Sequence, residues 1–194
     1  MPAIKAVTVF GGAASGSDPV FRETASALGR GLAEAGITVI FGGGSIGMMG
    51  AVADGALDAG GQVVGIIPDF LARREVAHTA VSEMIVTDSM HSRKRRMFEM
   101  SDAFVTLPGG LGTLDETFEM ITWRQLNLHA KPIIICNVMG WGTHFRRMVE
   151  SYIEMGFVPR RAQEWYEIVE SAEAVIGRLT ELPAIETATA ISRL

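Results

Sequence analysis

The sequence predicts an α/β protein: a Rossmann-like, doubly wound parallel sheet with helices on both faces, folded as a single domain. Three observations carry this. Short apolar, strand-like runs alternate with stretches of helical periodicity, the pattern of a parallel sheet covered on both sides. Several of those runs end in glycine or proline turns, where doubly wound folds build their sites. The 194 residues suffice for one well-buried domain and fall short of two comfortable ones.

Lys5 to Phe10 is a β-branched apolar run that ends at Gly11-Gly12-Ala13-Ala14-Ser15-Gly16. A helix starts near Asp18-Pro19, since proline suits the first helical turn, and runs to about Ala35, where Gly36 stops it. Ile37 to Phe41 is the second strand and closes on Gly42-Gly43-Gly44-Ser45-Ile46-Gly47. A helix from Met48 to Ala59 ends at Gly60-Gly61, and Gln62 to Ile67 is a third strand, stopped by Pro68. Glu83 to Thr87 reads as a short fourth. Asp88 or Ser89 caps a helix to about Met100, followed by a buried strand at Ala103-Phe104-Val105-Thr106-Leu107. Beyond a central helix, Lys131 to Val138 is another strand, and a helix covers Thr143 to Met155. A short segment ends in Tyr166-Glu167-Ile168-Val169, and the last helix runs from Ala172 to about Leu182. The domain is therefore placed at residues 1–183, with 184–194 as a frayed tail.

Composition excludes several classes. With 48% apolar and 20% charged residues, the chain has the profile of a soluble globular protein, not a disordered one. A net charge of −5 argues against general nucleic-acid binding, which usually needs a basic face. Cys136, the one cysteine, excludes an internal disulfide framework, suits a reducing cytosol, and reads as strand core, not as a nucleophile. No cationic-then-apolar signal segment opens the chain, and no apolar run is long enough to span a bilayer. The expectation is a cytoplasmic protein without a membrane or nucleic-acid partner. His78, His91, His129 and His144 are scattered, with no paired spacing for a metal, so no metal or cofactor is expected.

Two glycine patterns invite a function and explain little. Gly42-x-Gly44-x-x-Gly47 matches the dinucleotide fingerprint, yet it follows the second strand and has no acidic residue at the ribose-reading distance. Gly43-x-Ser45-x-Gly47 matches a nucleophile elbow, but its triad would need His129 or His144 to be forced into place. A glycine turn that packs a helix close to the sheet accounts for both.

The stretch from Leu107 to Glu116, Leu-Pro-Gly-Gly-Leu-Gly-Thr-Leu-Asp-Glu, organises the rest. It is a strand, a glycine turn and a helix start in that order. Its glycines let backbone N–H groups approach a ligand, and the helix N-terminus behind them favours an anion such as phosphate. Thr113 is expected as N-cap, which leaves Glu116 two readings. It either closes a capping box with Thr113 or faces whatever the turn holds.

The other half of the site decides between them. In Met90-His91-Ser92-Arg93-Lys94-Arg95-Arg96-Met97, helical geometry puts Arg93 on the apolar face with Met90 and Met97, while Arg95 points away to solvent. A cation turned toward the core is costly unless an anion meets it. Arg93 is therefore expected to reach Glu116, a phosphate, or both.

These two segments, Pro108-Gly109-Gly110-x-Gly112-Thr113-x-x-Glu116 and Met90-His91-x-Arg93-Lys94-x-x-Met97, resemble the LONELY GUY family of cytokinin riboside 5′-monophosphate phosphoribohydrolases, often labelled lysine decarboxylases. The likeness extends to Gly42-Gly43-Gly44-x-x-Gly47 and the Ile121-Thr122-Trp123 helix. It implies Arg93 and Glu116 as the catalytic pair, with nucleotide contacts from Glu75, Lys94, Gly109, Gly110, Leu111, Gly112, Thr113 and Thr122. It implies a homodimer with sites near the interface, and hydrolysis of a nucleoside 5′-monophosphate to free base and ribose 5-phosphate. The sequence departs from the family where Leu111 replaces a common aromatic, Ala13-Ala14 replaces small hydroxyl residues, and Ala72-Arg73-Arg74-Glu75 lacks the usual proline. Beside this stand a nucleotide-binding module of the same fold without turnover, and a pyridoxal phosphate decarboxylase drawing on Lys5, Lys94 or Lys131. Because a helix N-terminus and Arg93 both favour the charged form, Glu116 is expected to be ionised.

Overall fold

The computed structural model describes residues 4–72 and 77–183. In chain order the elements are β1 (Ala6–Phe10), α1 (Pro19–Glu34), β2 (Thr38–Phe41), α2 (Gly47–Asp58), β3 (Val63–Pro68), a single-turn α3 (Asp69–Ala72) and β4 (Glu83–Thr87). They continue as α4 (Met90–Met100), β5 (Ala103–Thr106), α5 (Leu111–Gln125), β6 (Ile133–Cys136), α6 (Trp141–Glu154), β7 (Glu167–Val169) and α7 (Ala172–Glu181). The strands form one sheet in the order β4-β3-β2-β1-β5-β6-β7, every neighbouring pair parallel. This is the doubly wound architecture expected. From β1 the chain steps outward to β4 and then returns to lay β5 on the other flank of β1. A crevice is thereby left beyond the carboxyl ends of β1 and β5, the usual seat of a ligand in such sheets.

Strand residues alternate between two cores. Val7, Val9, Val105, Ile134 and Cys136 pack under α1, α2 and α7 with Leu28, Leu32, Val52, Val175 and Leu179. Phe10, Phe104, Ile133 and Ile135 pack under α4, α5 and α6 with Phe98, Met120, Ile121 and Phe145. Leu28 and Leu32 are fully buried, so cutting either back to alanine would cost about 2–5 kcal/mol. Helix starts follow the local chemistry. Asp18 caps α1 by accepting from the Val20 N–H at 2.9 Å, with Pro19 in the first turn. Ser89 and Ser92 cap α4 reciprocally, and Ser171 caps α7.

Three details differ from expectation. The segment before Val169 is a seventh strand, and Pro68 ends β3 inside the ladder, opposite Thr87 of β4. More consequential, α5 begins at Leu111 with Gly110 as its N-cap, because Gly110 is still extended and the chain turns helical immediately after it. Thr113 is therefore inside the first turn and Glu116 a turn deeper, so the Thr113–Glu116 capping box does not form. The tail assigned to 184–194 lies outside the described residues.

Candidate active site

Arg93 sits in the second turn of α4 on the buried side it shares with Met97. Its guanidinium crosses beneath the end of β2, where Nη2 donates to the Gly42 carbonyl at 3.2 Å, and Nη1 lies 3.7 Å from the Met90 sulfur. A Cβ at position 42 would run into that guanidinium, so the close approach requires glycine there. Nη2 also faces Glu116 Oε1 at 4.0 Å, the two side chains being 8% and 13% exposed. The Arg93 Nε is buried without a hydrogen-bond partner, an uncompensated donor beside this pair.

Glu116 is held from the far side. Thr106 of β5 and Thr117 of α5 share a hydroxyl–hydroxyl bond of 2.9 Å, and Thr117 donates to the Thr113 carbonyl at 2.7 Å, which fixes the rotation of α5 over the strand. Burial pushes the Glu116 carboxyl from 4.5 up to about 7. Arg93 and Lys94 pull the other way and Asp115 and Glu119 add to the rise, but desolvation is the largest influence. The expectation of a firmly ionised carboxylate is thereby corrected: the helix N-terminus and a guanidinium 4.0 Å away do not outweigh the loss of water. Lys94 is engaged elsewhere, its Nζ lying 2.6 Å from Asp115 and 3.3 Å from Glu119.

Arg93 and Glu116 form one wall of a cavity of about 520 Å³ at the topological crevice. Its floor is two glycine turns, Gly11–Gly16 after β1 and Pro108, Gly109, Gly110 and Gly112 after β5. They are laced together, with Gly12 N–H donating to the Pro108 carbonyl at 3.1 Å and Met48 N–H donating to the Gly12 carbonyl at 2.9 Å. Gly109 stands so close to Thr113 and the Gly12 amide that a Cβ there would collide with both. The unpaired N–H groups of the first turn of α5 belong to this floor, an arrangement suited to an anion. Phe21, Met48, Met49, Met90 and Trp141 supply an apolar wall.

The predicted residues fall into two groups. Arg93, Glu116, Gly109, Gly110, Gly112 and Thr113 converge on the cavity. Leu111, Lys94 and Thr122 do not line it within one chain: Leu111 is 86% exposed, Thr122 is exposed further along α5, and Lys94 is ion-paired. Glu75 lies outside the described residues. Sequence reasoning missed Gly42 as the seat of Arg93, Asp115 on the rim, and Trp141 on the wall. It also underweighted the first turn, whose glycines follow β1 directly and were a legible signal.

The rival motifs come apart in space. His129 lies at the opposite rim, before β6, where it is wedged against Phe98 and Phe104 and bonded to the Met120 carbonyl at 2.9 Å, so it cannot serve Ser45 after β2. His144 is exposed on α6. Lys131 is also at that rim, its Nζ on the Phe98 carbonyl at 2.6 Å and over the Phe98 ring, and no lysine lines the cavity. Cys136 is buried in strand, its thiol pushed up to about 12. Arg95 pairs with Glu99 on the outer face of α4, as expected of a solvated cation.

A glycine-floored anion seat at the switch point of a parallel sheet, walled by a buried arginine and a buried glutamate, defines a Rossmann-type protein with a nucleotide-sized crevice. Comparison with known proteins narrows the class. Residues 49–179 match the family model described as possible lysine decarboxylase. The chain is 44% identical over 183 residues to a cytokinin riboside 5′-monophosphate phosphoribohydrolase of Rhodococcoides fascians, covering 92% of this chain and 90% of that one. It is 38% identical over 175 residues to the corresponding LOG enzyme of Oryza sativa subsp. japonica, covering 90% and 72%. The chain belongs to this LONELY GUY family. Among solved structures, the molybdenum cofactor carrier protein of Chlamydomonas reinhardtii shares the fold, with a TM-score of 0.69 at 20% identity over 90% of this chain and 95% of that one.

Proposed function

We propose that this protein hydrolyses the N-glycosidic bond of a nucleoside 5′-monophosphate, a cytokinin riboside 5′-monophosphate or AMP, to free base and ribose 5-phosphate. The observation that carries the reading is the juxtaposition of Arg93 and Glu116, 4.0 Å apart, beside the glycine-floored mouth of α5. In this reading the 5′-phosphate lies on the amides of residues 109–113, which holds the sugar against Glu116. Cleavage passes through an oxocarbenium-like state, and a carboxylate beside the anomeric carbon stabilises that charge. The C1′–N bond breaks with its electron pair passing to the base nitrogen, which takes up a proton from solvent, while water bonds through its oxygen to the anomeric carbon and gives its proton to Glu116. A carboxyl poised at about 7 suits that transfer near neutral pH. Arg93 lies beside Glu116 on the same wall and sets the positive charge against which that carboxyl works.

The working form in this reading is a cytoplasmic homodimer. Leu111, Thr122 and Leu126 share one outer face of α5, with Leu111 86% and Leu126 60% exposed, and a second copy seated there would place Leu111 and Thr122 beside a site. Among the described residues, no helix is long and apolar enough to cross a membrane.

The test is incubation with AMP and with N6-isopentenyl-AMP, following free base by chromatography. Release of base from either supports hydrolysis, and Arg93→Ala and Glu116→Ala should each slow it by about 10²–10⁴-fold while remaining folded. Nucleotide that binds and persists intact would instead make this a binding module of the same fold.

A further inference from the structure

Trp141 has no part in the chemistry above, yet it touches the phosphate seat directly. It opens α6, lines the cavity, and its indole Nε1–H donates to the Gly109 carbonyl at 3.2 Å. The ring is set by its surroundings: it stacks on Phe145 at 6.2 Å, and Phe145 in turn stacks on Phe118 of α5 at 4.9 Å. The backbone that delivers it is itself unusual. Met139, an exposed non-glycine residue, is held at φ +50° and Gly140 at φ +79°, and Asn137 Oδ1 accepts from the Thr143 N–H at 2.9 Å to fix the helix start. A methionine in that region is strained, and such strain persists where the surroundings over-determine it.

The peptide that Trp141 holds joins two glycines, Gly109 and Gly110, so no Cβ on either side opposes its rotation. In a planar trans unit the Gly109 carbonyl and the Gly110 N–H point in opposite directions. Fixing one therefore aims the other. Released, this peptide could turn its carbonyl oxygen toward the anion seat, where it would repel a phosphate. We propose that Trp141 is a positioning residue that locks the Gly109–Gly110 peptide in its anion-accepting orientation, so that phosphate affinity depends on an indole N–H that never touches the substrate. The proposal rests on the reading that residues 109–113 seat the nucleotide phosphate.

Trp141→Phe keeps the ring on Phe145 and deletes the N–H. Inhibition by ribose 5-phosphate should weaken about tenfold, and KM for AMP should rise in step. Inhibition by adenine, which lacks a phosphate, should stay within about twofold, and kcat should change less than KM. A merely structural role would weaken both inhibitors together. Equal weakening, or ribose 5-phosphate bound as tightly as in wild type, overturns the proposal. In the wild type, the Trp141 indole N–H resonance should resist exchange with solvent; free exchange would overturn it independently of how the variant folds. Wild-type protein that neither cleaves AMP nor binds ribose 5-phosphate would remove the underlying reading, and this proposal with it.

Discussion

At Glu116 two opposed influences meet and burial wins. At about 1.4 kcal/mol per pH unit, the rise from 4.5 to about 7 corresponds to a cost on the order of 3 kcal/mol for holding the ionised carboxylate in the fold. The sign fixes the pH window. Between 4.5 and 7 the folded chain keeps a proton that the unfolded chain releases, so stability falls as pH rises through that interval and the full cost applies above it. Glu116→Gln, which cannot ionise, should therefore be more stable than wild type by up to about 3 kcal/mol at pH 8 and near parity below pH 4.5. Urea denaturation at the two pH values measures this, and an equal gain at both would mean that burial does not set the carboxyl. Activity should show the same group. If the ionised form is the working one, kcat/KM declines below about pH 7 in the unliganded enzyme. A rate that climbs steadily with acid would assign Glu116 the opposite role.

At the scale of elements, the turn after β2 shows how glycine serves a neighbour and not a ligand. Gly42 leaves the volume through which Arg93 reaches its carbonyl. Gly42→Ala should displace the guanidinium, lower stability by about 1–3 kcal/mol through overcrowding, and reduce turnover as Arg93→Ala does; unfolding and rate measurements on one sample check both. This also explains what the sequence could and could not reveal. Six of the seven strands and the long helices between them were legible because periodicity and turn residues are local signals; the three-residue β7 at the sheet edge was not. Arg93 was legible too, since its spacing from Met90 and Met97 turned a cation inward. The start of α5 was not: Thr113 has the chemistry of a cap, and only the extended backbone of Gly110 shows that the helix has already begun. Nor was the protonation of Glu116, because desolvation depends on side chains brought in from distant segments. Trp141 escaped for the same reason, its partner Gly109 being 32 residues away in sequence.

For the whole molecule, the seven parallel strands place Arg93, Glu116 and the glycine turns at one rim of the sheet and the buried Lys131 and His129 at the other. The exposed Leu111 and Leu126 leave α5 with an apolar outer stripe for which a second copy is the proposed cover. Sedimentation equilibrium should give twice the chain mass, and Leu111→Asp with Leu126→Asp should shift the protein toward single chains with reduced turnover. A wild type that sediments as one chain at working concentrations, yet turns over nucleotide at full rate, would discard the dimer and leave the single-chain cavity sufficient.

The strand order has a temporal side as well. Arg93 is translated before Glu116, and β1 has one flank uncovered until β5 arrives to take its place beside it. A ribosome that has delivered only the first hundred residues has thus made the guanidinium, the first glycine turn and no carboxylate to oppose them. The growing chain can acquire its cutting edge only late in synthesis, when the second half closes against the first, so an unfinished copy cannot act on the cell's nucleotides.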